Sequence, residues 1–327
     1  MFINNREMPV ELLYYNALSA RTELTANEKY QMALMKKGYE GECLYDKIFD
    51  EIGHGNVYIF RDVYLKIGST TTQYDSIVIT DNRVTVNEIK NFQGDIHYSK
   101  DNWYKKGYPL EEDAFAQLRR AQGKLMKLSK NSGVNFEVTG ALIFINDDFR
   151  ITSDKDDIWE KTIVRSHLRG YLQNLNSVQK SDKAQKIANI INKYRVNNIY
   201  FNEKADISML KLGFYCSECR SYDLIKRRFH FTCIKCGSIE SNETHLLRAI
   251  SDYKFLFYNQ PVTKKSLLYL IDNQLKRSAV GRLLRKHCVL ENKGRSAEHI
   301  FKYHDLNAAL IATKDQRYKD KITRYSE

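Results

Sequence analysis

The chain has 327 residues, of which 43% are hydrophobic and 12% aromatic, enough for a buried core and two or three domains. The opening MFINNREMPV lacks an apolar h-region and a cleavage site, and no apolar run approaches membrane-spanning length, so we expect a cytoplasmic protein. Of the net charge of +12, most falls in residues 206–302, with 18 Lys and Arg against 9 Asp and Glu. Clustered positive charge suits a polyanion such as nucleic acid; a basic surface kept for solubility is the alternative.

The first part of the chain, residues 1–200, predicts one α/β domain that includes the N-terminal helices. Helices are expected over residues 10–37, with Thr25 as N-cap and Gly38 as a stop. The apolar and β-branched runs that follow predict, in order, helix 40–52, strands 57–66, 74–80 and 83–91, helix 110–129, buried strand 138–145 and a helical stretch over 156–196.

Strands 74–80 and 83–91 are separated by Asp81 and Asn82, residue types that tolerate the backbone of a two-residue hairpin turn. Such a turn pairs Thr80 with Arg83, and counting outward places Asp75 opposite Glu88. Alternation along the strands then puts on one face Asp75, Ile77, Ile79, Val84, Val86, Glu88 and Lys90.

Two carboxylates and a lysine therefore end an otherwise aliphatic face. Facing like charges are unfavourable across strands, and burial adds a desolvation cost. A divalent cation such as Mg²⁺, which prefers carboxylate and phosphate oxygens, would remove this penalty and activate a water. Lys90 could then position the attacking hydroxide for phosphodiester hydrolysis. An ordinary surface Glu–Lys pair at a strand end is the alternative.

Four short segments together resemble the nuclease-related domain, NERD, of the PD-(D/E)xK nuclease superfamily. They are GE at residues 41–42, QYD at 73–75, EIK at 88–90 and NFQG at 91–94. The resemblance covers roughly residues 30–150, and the superfamily's αβββαβ core fits the order of elements above. One departure is Tyr74, which precedes Asp75 where the superfamily name has proline.

The resemblance implies a restriction-endonuclease-like α/β fold and a Mg²⁺ or Mn²⁺ site. It makes Asp75 and Glu88 the metal ligands and Lys90 the catalytic lysine, with Glu42 as a third acidic residue from the first helix. Gln117 would approach from the later helix, and an exposed position on that helix is the alternative. Trp103 also falls where the family carries a tryptophan, and packing is its alternative role.

Residues 206–245 contain CSEC and CIKC, which bring together Cys216, Cys219, Cys233 and Cys236. Two CxxC pairs at this separation resemble a zinc ribbon, in which four thiolates close a tetrahedral structural Zn²⁺ site. Redox use of one CxxC is the alternative.

Between these pairs stands LIKRRFHFT, where cations alternate with aromatic rings. A hairpin here would present Lys226, Arg227 and Arg228 to nucleic-acid phosphates. Phe229 and Phe231 either stack on bases or form the ribbon's own core, and we expect the core role for at least one.

Residues 248–312 predict a helix over 264–271, a second over 278–289, and a hairpin with its turn at Lys293 and Gly294. This pattern resembles a winged helix, whose second helix enters the major groove. The outward side of that helix carries Arg282, Arg285 and Lys286. A helical protein-interaction module is the alternative.

Together these features predict a Mg²⁺- or Mn²⁺-dependent nuclease acting on DNA, for DNA processing or defence against foreign DNA. Two alternatives remain open at this point. One is a DNA-binding regulator with an inactive nuclease-like domain, and the other is a nuclease directed at RNA.

Overall fold

The chain forms two compact units in a computed structural model that describes residues 1–292, 297–318 and 320–321. Unit 1 comprises Met1–Glu7 and Leu34–Ile199, and unit 2 comprises Met8–Ala33 and Tyr200–Glu327. In the described residues the helices are α1 (Val10–Arg21), α2 (Ala26–Ile52), α3 (Ala114–Asn131), α4 (Arg165–Ser177), α5 (Asp182–Lys193), α6 (Asn242–Leu256), α7 (Lys264–Leu270), α8 (Arg277–His287) and α9 (Leu306–Ala312).

The strands of the described residues form four sheets, two in each unit. Those of unit 1 are β1 (Tyr58–Ile67), β2 (Thr70–Ile79), β3 (Arg83–Lys90), β4 (Gly94–Ser99), β5 (Asn102–Lys105), β6 (Tyr108–Pro109), β7 (Glu137–Phe144), β8 (Phe149–Ser153), β9 (Thr162–Val164) and β10 (Arg195–Val196). Those of unit 2 are β11 (Leu224–Lys226), β12 (His230–Cys233), β13 (Ile239–Ser241), β14 (Val262–Thr263), β15 (Cys288–Asn292) and β16 (Glu298–Phe301).

The main sheet of unit 1 has the strand order β10-β1-β2-β3-β7-β9. Strands β1, β2 and β3 are antiparallel neighbours, whereas β7 runs parallel to β3. Apolar residues on one face of this sheet pack with α3 and α5, and those on the other face pack with α2 and α4. Both faces are therefore buried, as the continuous apolar run of β7 requires.

The prediction that Gly38 ends a helix is wrong. A single helix, α2, continues from Ala26 to Ile52, and Gly38 does not adopt a positive φ. An interior glycine costs a helix only about 1 kcal/mol. Burial of Tyr45, Ile48 and Phe49 on the same helix offsets that cost. The predicted N-cap is present, because Thr25 Oγ1 accepts a hydrogen bond from Glu28 N at 3.3 Å.

The expectation of a purely helical stretch over residues 156–196 is wrong in part. Helices α4 and α5 lie there, but β9 and β10 flank them and extend the main sheet at its two edges. The β-branched run Thr162–Val164 favours pairing with β7 over helix.

A second sheet of unit 1, with the order β6-β5-β4-β8, has no counterpart in the sequence predictions. Its strands are short, and two of them follow directly on the ends of β3 and β7. Trp103, on β5, is 1% exposed and stacks on Phe115 of α3 with ring centroids 5.3 Å apart. The packing role weighed for Trp103 is therefore the one that the structure records.

Helix α3 lies unusually close to β7 at Gly140. A Cβ atom at this position would stand 2.8 Å from Leu118 Cδ1 and 3.0 Å from Val86 O. Real Cβ atoms essentially never come as close as the first of these distances. The absence of a side chain at residue 140 thus permits the contact between helix and sheet.

Unit 2 is built around α6, of which 12 of the 15 residues are buried. Helix α1 packs on α6, and the buried Arg21 binds Asp252 at 2.9 Å. The N-terminal helix thus belongs to unit 2, whereas the sequence expectation grouped it with residues 1–200. Helix α6 also runs through the expected boundary between 245 and 248. Both differences arise because α1 and α6 bury their apolar residues in one core.

The remaining sheets of unit 2 each have three strands. The first, β11-β12-β13, contains the predicted hairpin between the two CxxC pairs. The second has the order β14-β16-β15 and follows α7 and α8. The predicted turn at Lys293 and Gly294, between β15 and β16, lies outside the described residues.

Candidate active site

The hairpin of β2 and β3 has the register that the sequence predicts. Thr80 N donates to Arg83 O at 3.0 Å, and the pairs run from Ile79 with Val84 to Ser76 with Asn87. Continuing by one residue places Asp75 opposite Glu88. The aliphatic residues of the shared face are fully buried in the core that includes α3: Ile77, Ile79, Val84 and Val86.

Glu88 is a carboxylate that burial disfavours in its charged form, and Asp75 lies opposite it. Glu88 is 9% exposed, and burial, followed by the charge of Asp75, raises the pKa of Glu88 to about 8. Asp75 Oδ2 accepts a hydrogen bond from Ile89 N at 2.8 Å, which fixes its side chain at the strand end. A cation close to both groups would restore the ionised form of Glu88.

Lys90 stands beside this pair and is held by three side chains. Its Nζ lies 3.2 Å from Glu88 Oε1 and donates to Gln117 Oε1 at 2.7 Å and to Glu112 Oε2 at 3.0 Å. Burial by itself would lower the pKa of Lys90, but Glu88, Asp75 and Glu112 together raise it above its ordinary value. Lys90 is therefore an ammonium donor, not a neutral base.

Glu42 reaches the same region from α2, where it meets Arg6. The buried guanidinium of Arg6 contacts the Glu42 carboxylate, donates to Asp46 Oδ2 at 2.7 Å and to Asp75 O at 2.9 Å. Burial and then Asp75 raise the pKa of Glu42 to about 8, against the opposing effect of Arg6. Arg6 thus partly neutralises Glu42.

Gly41 and Asn91 bring α2 and the end of β3 together. A Cβ at Gly41 would lie 2.8 Å from Asn91 Cβ and 3.0 Å from Ile145 Cγ2. Asn91 Nδ2 donates to Lys37 O at 2.7 Å, and its Oδ1 accepts from Asn146 Nδ2 at 2.9 Å. The glycine of GE and the asparagine after EIK therefore have a shared structural role, which is to position Glu42 beside the hairpin.

Five residues that the sequence predicts for the site lie close together in the structure: Glu42, Asp75, Glu88, Lys90 and Gln117. They come from four separate elements, namely α2, β2, β3 and α3. A cleft of about 700 Å³ opens onto Asp75, Glu88 and Gln117.

Residues 37–145 match the family described as the nuclease-related domain, NERD. The match spans about a third of the chain and contains all five of these residues. No curated protein and no solved structure matches the chain. We refer to residues 37–145 as the NERD region. It supports a nuclease-related function for unit 1 and nucleic acid as the partner.

Two side chains of this site were absent from the sequence predictions, namely Arg6 and Glu112. Arg6 precedes the NERD region and has no local pattern that ties it to Glu42, 36 residues away. Glu112 lies just before α3, which begins at Ala114 with Asp113 as its N-cap, and no local pattern ties it to Lys90. Only the folded chain turns Glu112 toward Lys90.

The carboxylates offer a metal ion fewer protein ligands than the cysteines do. In the part of the chain that the structure describes, the cysteine quartet is the one group of three or more Cys, His, Asp or Glu whose ligand atoms converge as for a metal. Asp75 and Glu88 nevertheless suit Mg²⁺ or Mn²⁺, because such ions take one or two carboxylates and complete their shell with water and phosphate oxygens.

The four cysteines, Cys216, Cys219, Cys233 and Cys236, have Sγ atoms within 4.8 Å of one another. A tetrahedral ion with metal–sulfur bonds of about 2.3 Å needs sulfur separations of about 3.8 Å. Each CxxC closes a tight turn, and the residues after them, Arg220 and Gly237, adopt φ of 55° and 73°. The arrangement fits one closed metal site.

The basic residues between the cysteine pairs lie at the exposed end of the β11–β12 hairpin. Arg227 and Arg228 are exposed, while Lys226 Nζ donates to Gln274 O. Phe231 is 2% exposed and packs in the core of unit 2, whereas Phe229 is 56% exposed. One ring is thus structural, as expected, and the other remains available to a ligand.

The predicted helix at residues 278–289 is α8, which ends two residues earlier because Cys288 starts β15. Val280, Leu283 and Leu284 are buried, while the side chains that point outward are Arg282, Arg285 and Lys286. Lys286 binds Glu243 at 2.8 Å, so part of its charge is neutralised.

None of the helices that the structure describes combines the length and the apolar character that a membrane span requires.

Proposed function

We propose that the chain is a divalent-metal-dependent nuclease that hydrolyses phosphodiester bonds in DNA. The observation that carries this proposal is that Asp75 and Glu88 line a cleft in the NERD region and that Lys90 Nζ lies 3.2 Å from Glu88 Oε1. Asp75 and Glu88 face each other, and burial of Glu88 makes this arrangement unfavourable for the fold when no cation is bound. A bound divalent cation would offset this cost, which is why the two carboxylates support a metal-dependent function.

In this proposal Asp75 and Glu88 hold Mg²⁺ or Mn²⁺, which when bound neutralises phosphate charge and lowers the pKa of a water. Lys90 donates a hydrogen bond to the attacking oxygen or to a phosphate oxygen, because it keeps its proton. Gln117 and Glu112 fix the position of the ammonium. Attack by the water, whose proton passes to solvent, forms a new P–O bond as the bond to the leaving sugar oxygen breaks, and that oxygen takes a proton from solvent. Arg6, which contacts Glu42 and donates to Asp75 O, would hold these two acidic residues in place.

For unit 2 we propose a zinc ribbon at the cysteine quartet and a winged-helix-like fold from α6 to β16. In its support, α7, α8 and the sheet β14-β16-β15 occur in the order helix, helix, hairpin, with one further strand before them. Arg282 and Arg285 form no ion pair among the described residues and face outward on α8. These cations, with Arg227 and Arg228, would bind DNA backbone.

Cleavage and binding by purified protein test the catalytic part. Wild type, Lys90→Ala and a control with the exposed Lys47→Ala are incubated with linear, supercoiled and single-stranded DNA and with RNA, in Mg²⁺, Mn²⁺ or EDTA. We expect metal-dependent DNA cleavage in wild type and the control, and none in Lys90→Ala. Binding without cutting in every metal would replace the enzyme by a DNA-binding regulator, and a preference for RNA would change the substrate.

Duplex binding in EDTA tests the targeting part. Arg282→Gln/Arg285→Gln should weaken binding several-fold, because two phosphate contacts are lost. The control Lys265→Gln/Lys276→Gln removes the same charge from exposed positions of unit 2 and should bind as wild type does. Equal losses in both variants would indicate that only net charge matters.

A further inference from the structure

The cleft that opens onto Asp75 and Glu88 continues along α3. One of its sides is formed by the first residues of β2, Thr70–Thr72, and the other by α3. The residues that α3 contributes include Gln117, Arg120, Lys124 and Lys127. We name the last three the α3 basic stripe.

The spacing of the stripe places it on the side of α3 that also carries Gln117. Residues three or four apart on a helix are neighbours on its surface, and 117, 120, 124 and 127 follow this interval. At 1.5 Å per residue the row is about 15 Å long. The row therefore extends from Gln117, which accepts a hydrogen bond from Lys90, to Lys127. Lys127 Nζ lies beside the β1–β2 turn at Gly68.

Among the described residues, no cation of the stripe has an acidic side chain within ion-pair distance, whereas some neighbouring arginines are paired. Arg119, one residue from the stripe, binds Asp113 at 3.6 Å, and Arg83 binds Glu137 at 3.0 Å. In each of these ion pairs the carboxylate partly neutralises the positive charge of the arginine. Three unpaired cations along one side of a cleft create a local positive potential that favours an anion lying in it.

We propose that the α3 basic stripe binds the phosphodiester backbone of the strand to be cut, beside the scissile phosphate. This inference rests on the proposed nuclease function and names the substrate contacts of that same site. Successive charges of one strand of B-DNA are about 3.4 Å apart along the axis, so the three cations of the stripe, which span about 10 Å of the helix, meet more than one phosphate. The contact reads backbone and carries no base specificity.

The stripe also explains how an anionic substrate approaches a site with buried carboxylates. Without cations nearby, Asp75 and Glu88 would repel the phosphates. Arg120, Lys124 and Lys127 offset this repulsion along the strand, while a divalent ion offsets it at the scissile group.

The test compares two charge-matched pairs on the same helix in the full chain. Arg120→Gln/Lys127→Gln removes one arginine and one lysine from the stripe. Arg119→Gln/Lys130→Gln removes the same residue types from exposed positions of α3 outside the cleft. Both proteins keep every cation of unit 2, so the difference between them reports the stripe alone.

Binding of a labelled single-stranded DNA oligonucleotide is measured by fluorescence anisotropy in EDTA over a series of salt concentrations. Each lost phosphate contact lowers the slope of log K against log salt by about 0.7, so the stripe pair should lower it by about 1.4 and the control pair should not. The swap Arg120→Lys/Lys127→Arg should restore the slope. Equal slopes for the stripe and control pairs would overturn the proposal.

Cleavage by the same proteins in Mg²⁺ separates this proposal from the nuclease function. We expect the stripe pair to raise KM about tenfold or more with kcat little changed, as lost ground-state binding does. Cleavage with KM unchanged in the stripe pair would overturn the stripe alone. If no protein cuts but the salt slope falls only in the stripe pair, the nuclease function fails and the backbone contact stands.

Discussion

The two candidate metal sites of this chain, the cysteine quartet of unit 2 and the carboxylate pair of unit 1, are built in opposite ways. The quartet comes from 21 consecutive residues, and its four sulfur atoms already converge. The carboxylate site collects side chains from α2, β2, β3 and α3, and opens onto a cleft. Four protein ligands close a coordination shell, whereas two leave positions for water and substrate.

The difference also concerns what each site does for the fold. A structural metal stabilises the folded state, because its ligands come together only there. The acidic residues of unit 1 work against the fold, since burial raises the pKa of Glu88, in the carboxylate pair, and of the nearby Glu42 to about 8. The comparison therefore predicts opposite stability effects when the ligands of the two sites are removed.

The largest effect is expected from Cys233→Ser. Structural Zn²⁺ contributes about 10 kcal/mol or more of apparent binding free energy in small zinc domains, so loss of one thiolate should unfold the ribbon. Metal analysis should find one zinc per wild-type chain and much less in the variant, with a lower melting temperature. Cys43→Ser, at a cysteine outside the quartet, should keep its zinc. A full zinc content in Cys233→Ser would contradict the four-cysteine site.

Glu88→Gln should have the reverse pattern. Cleavage should fall about a thousandfold, the equivalent of about 4 kcal/mol, because the metal loses a carboxylate ligand. Stability in EDTA should be equal to or above that of wild type, since a neutral amide replaces a buried acid. The control Glu137→Gln, at an exposed position of β7, should cut normally. A marked destabilisation by Glu88→Gln would mean that Glu88 has a structural role.

Arg6→Ala probes the part of the acidic site that is already neutralised. Removing one partner of a buried ion pair costs about 3 kcal/mol, because Glu42 and Asp46 would lose their guanidinium. Urea unfolding should show this loss. Arg83→Ala, which breaks the half-exposed pair with Glu137, should cost less than about 1 kcal/mol. Similar costs in both variants would contradict the role given to Arg6.

The smallest effect is expected from Gln117→Ala. Lys90 keeps Glu88 and Glu112 as partners, so only one hydrogen bond to a charged group is lost, worth about 1.5 kcal/mol. We expect kcat to fall about tenfold with little change in KM. Gln173→Ala, an exposed glutamine on α4, provides the control. An unchanged kcat would return Gln117 to the surface role that the sequence also allowed.

The sequence predicted those parts of the structure that depend on short-range patterns. Asp81 and Asn82 determine a turn, the turn determines the register, and the register brings Asp75 opposite Glu88. The CxxC spacings likewise bring the cysteines together, and the outward residues of α8 follow from helical periodicity.

Features set by distant contacts were missed. Gly38 resembles a helix stop, but burial of Tyr45 and Phe49 further along carries α2 through it. The strands β4, β5 and β8 are too short to stand out from loops, and their pairing comes only from the ends of β3 and β7. Arg6 contacts Glu42 only because the fold brings them together, and no rule of sequence spacing predicts a contact between residues 36 positions apart.

The close approach at Gly140 links the preceding observations to mutational tolerance. Glu112, Gln117 and the basic stripe all belong to α3 or the turn just before it, so their positions relative to Lys90 depend on how deeply that helix seats on β7. A methyl group at residue 140 would press on Leu118 of α3 and on the backbone oxygen of Val86, so that either Leu118 changes conformation or these side chains shift together with the helix. A residue that lies outside the cleft would thereby set the position of every α3 side chain in the candidate site.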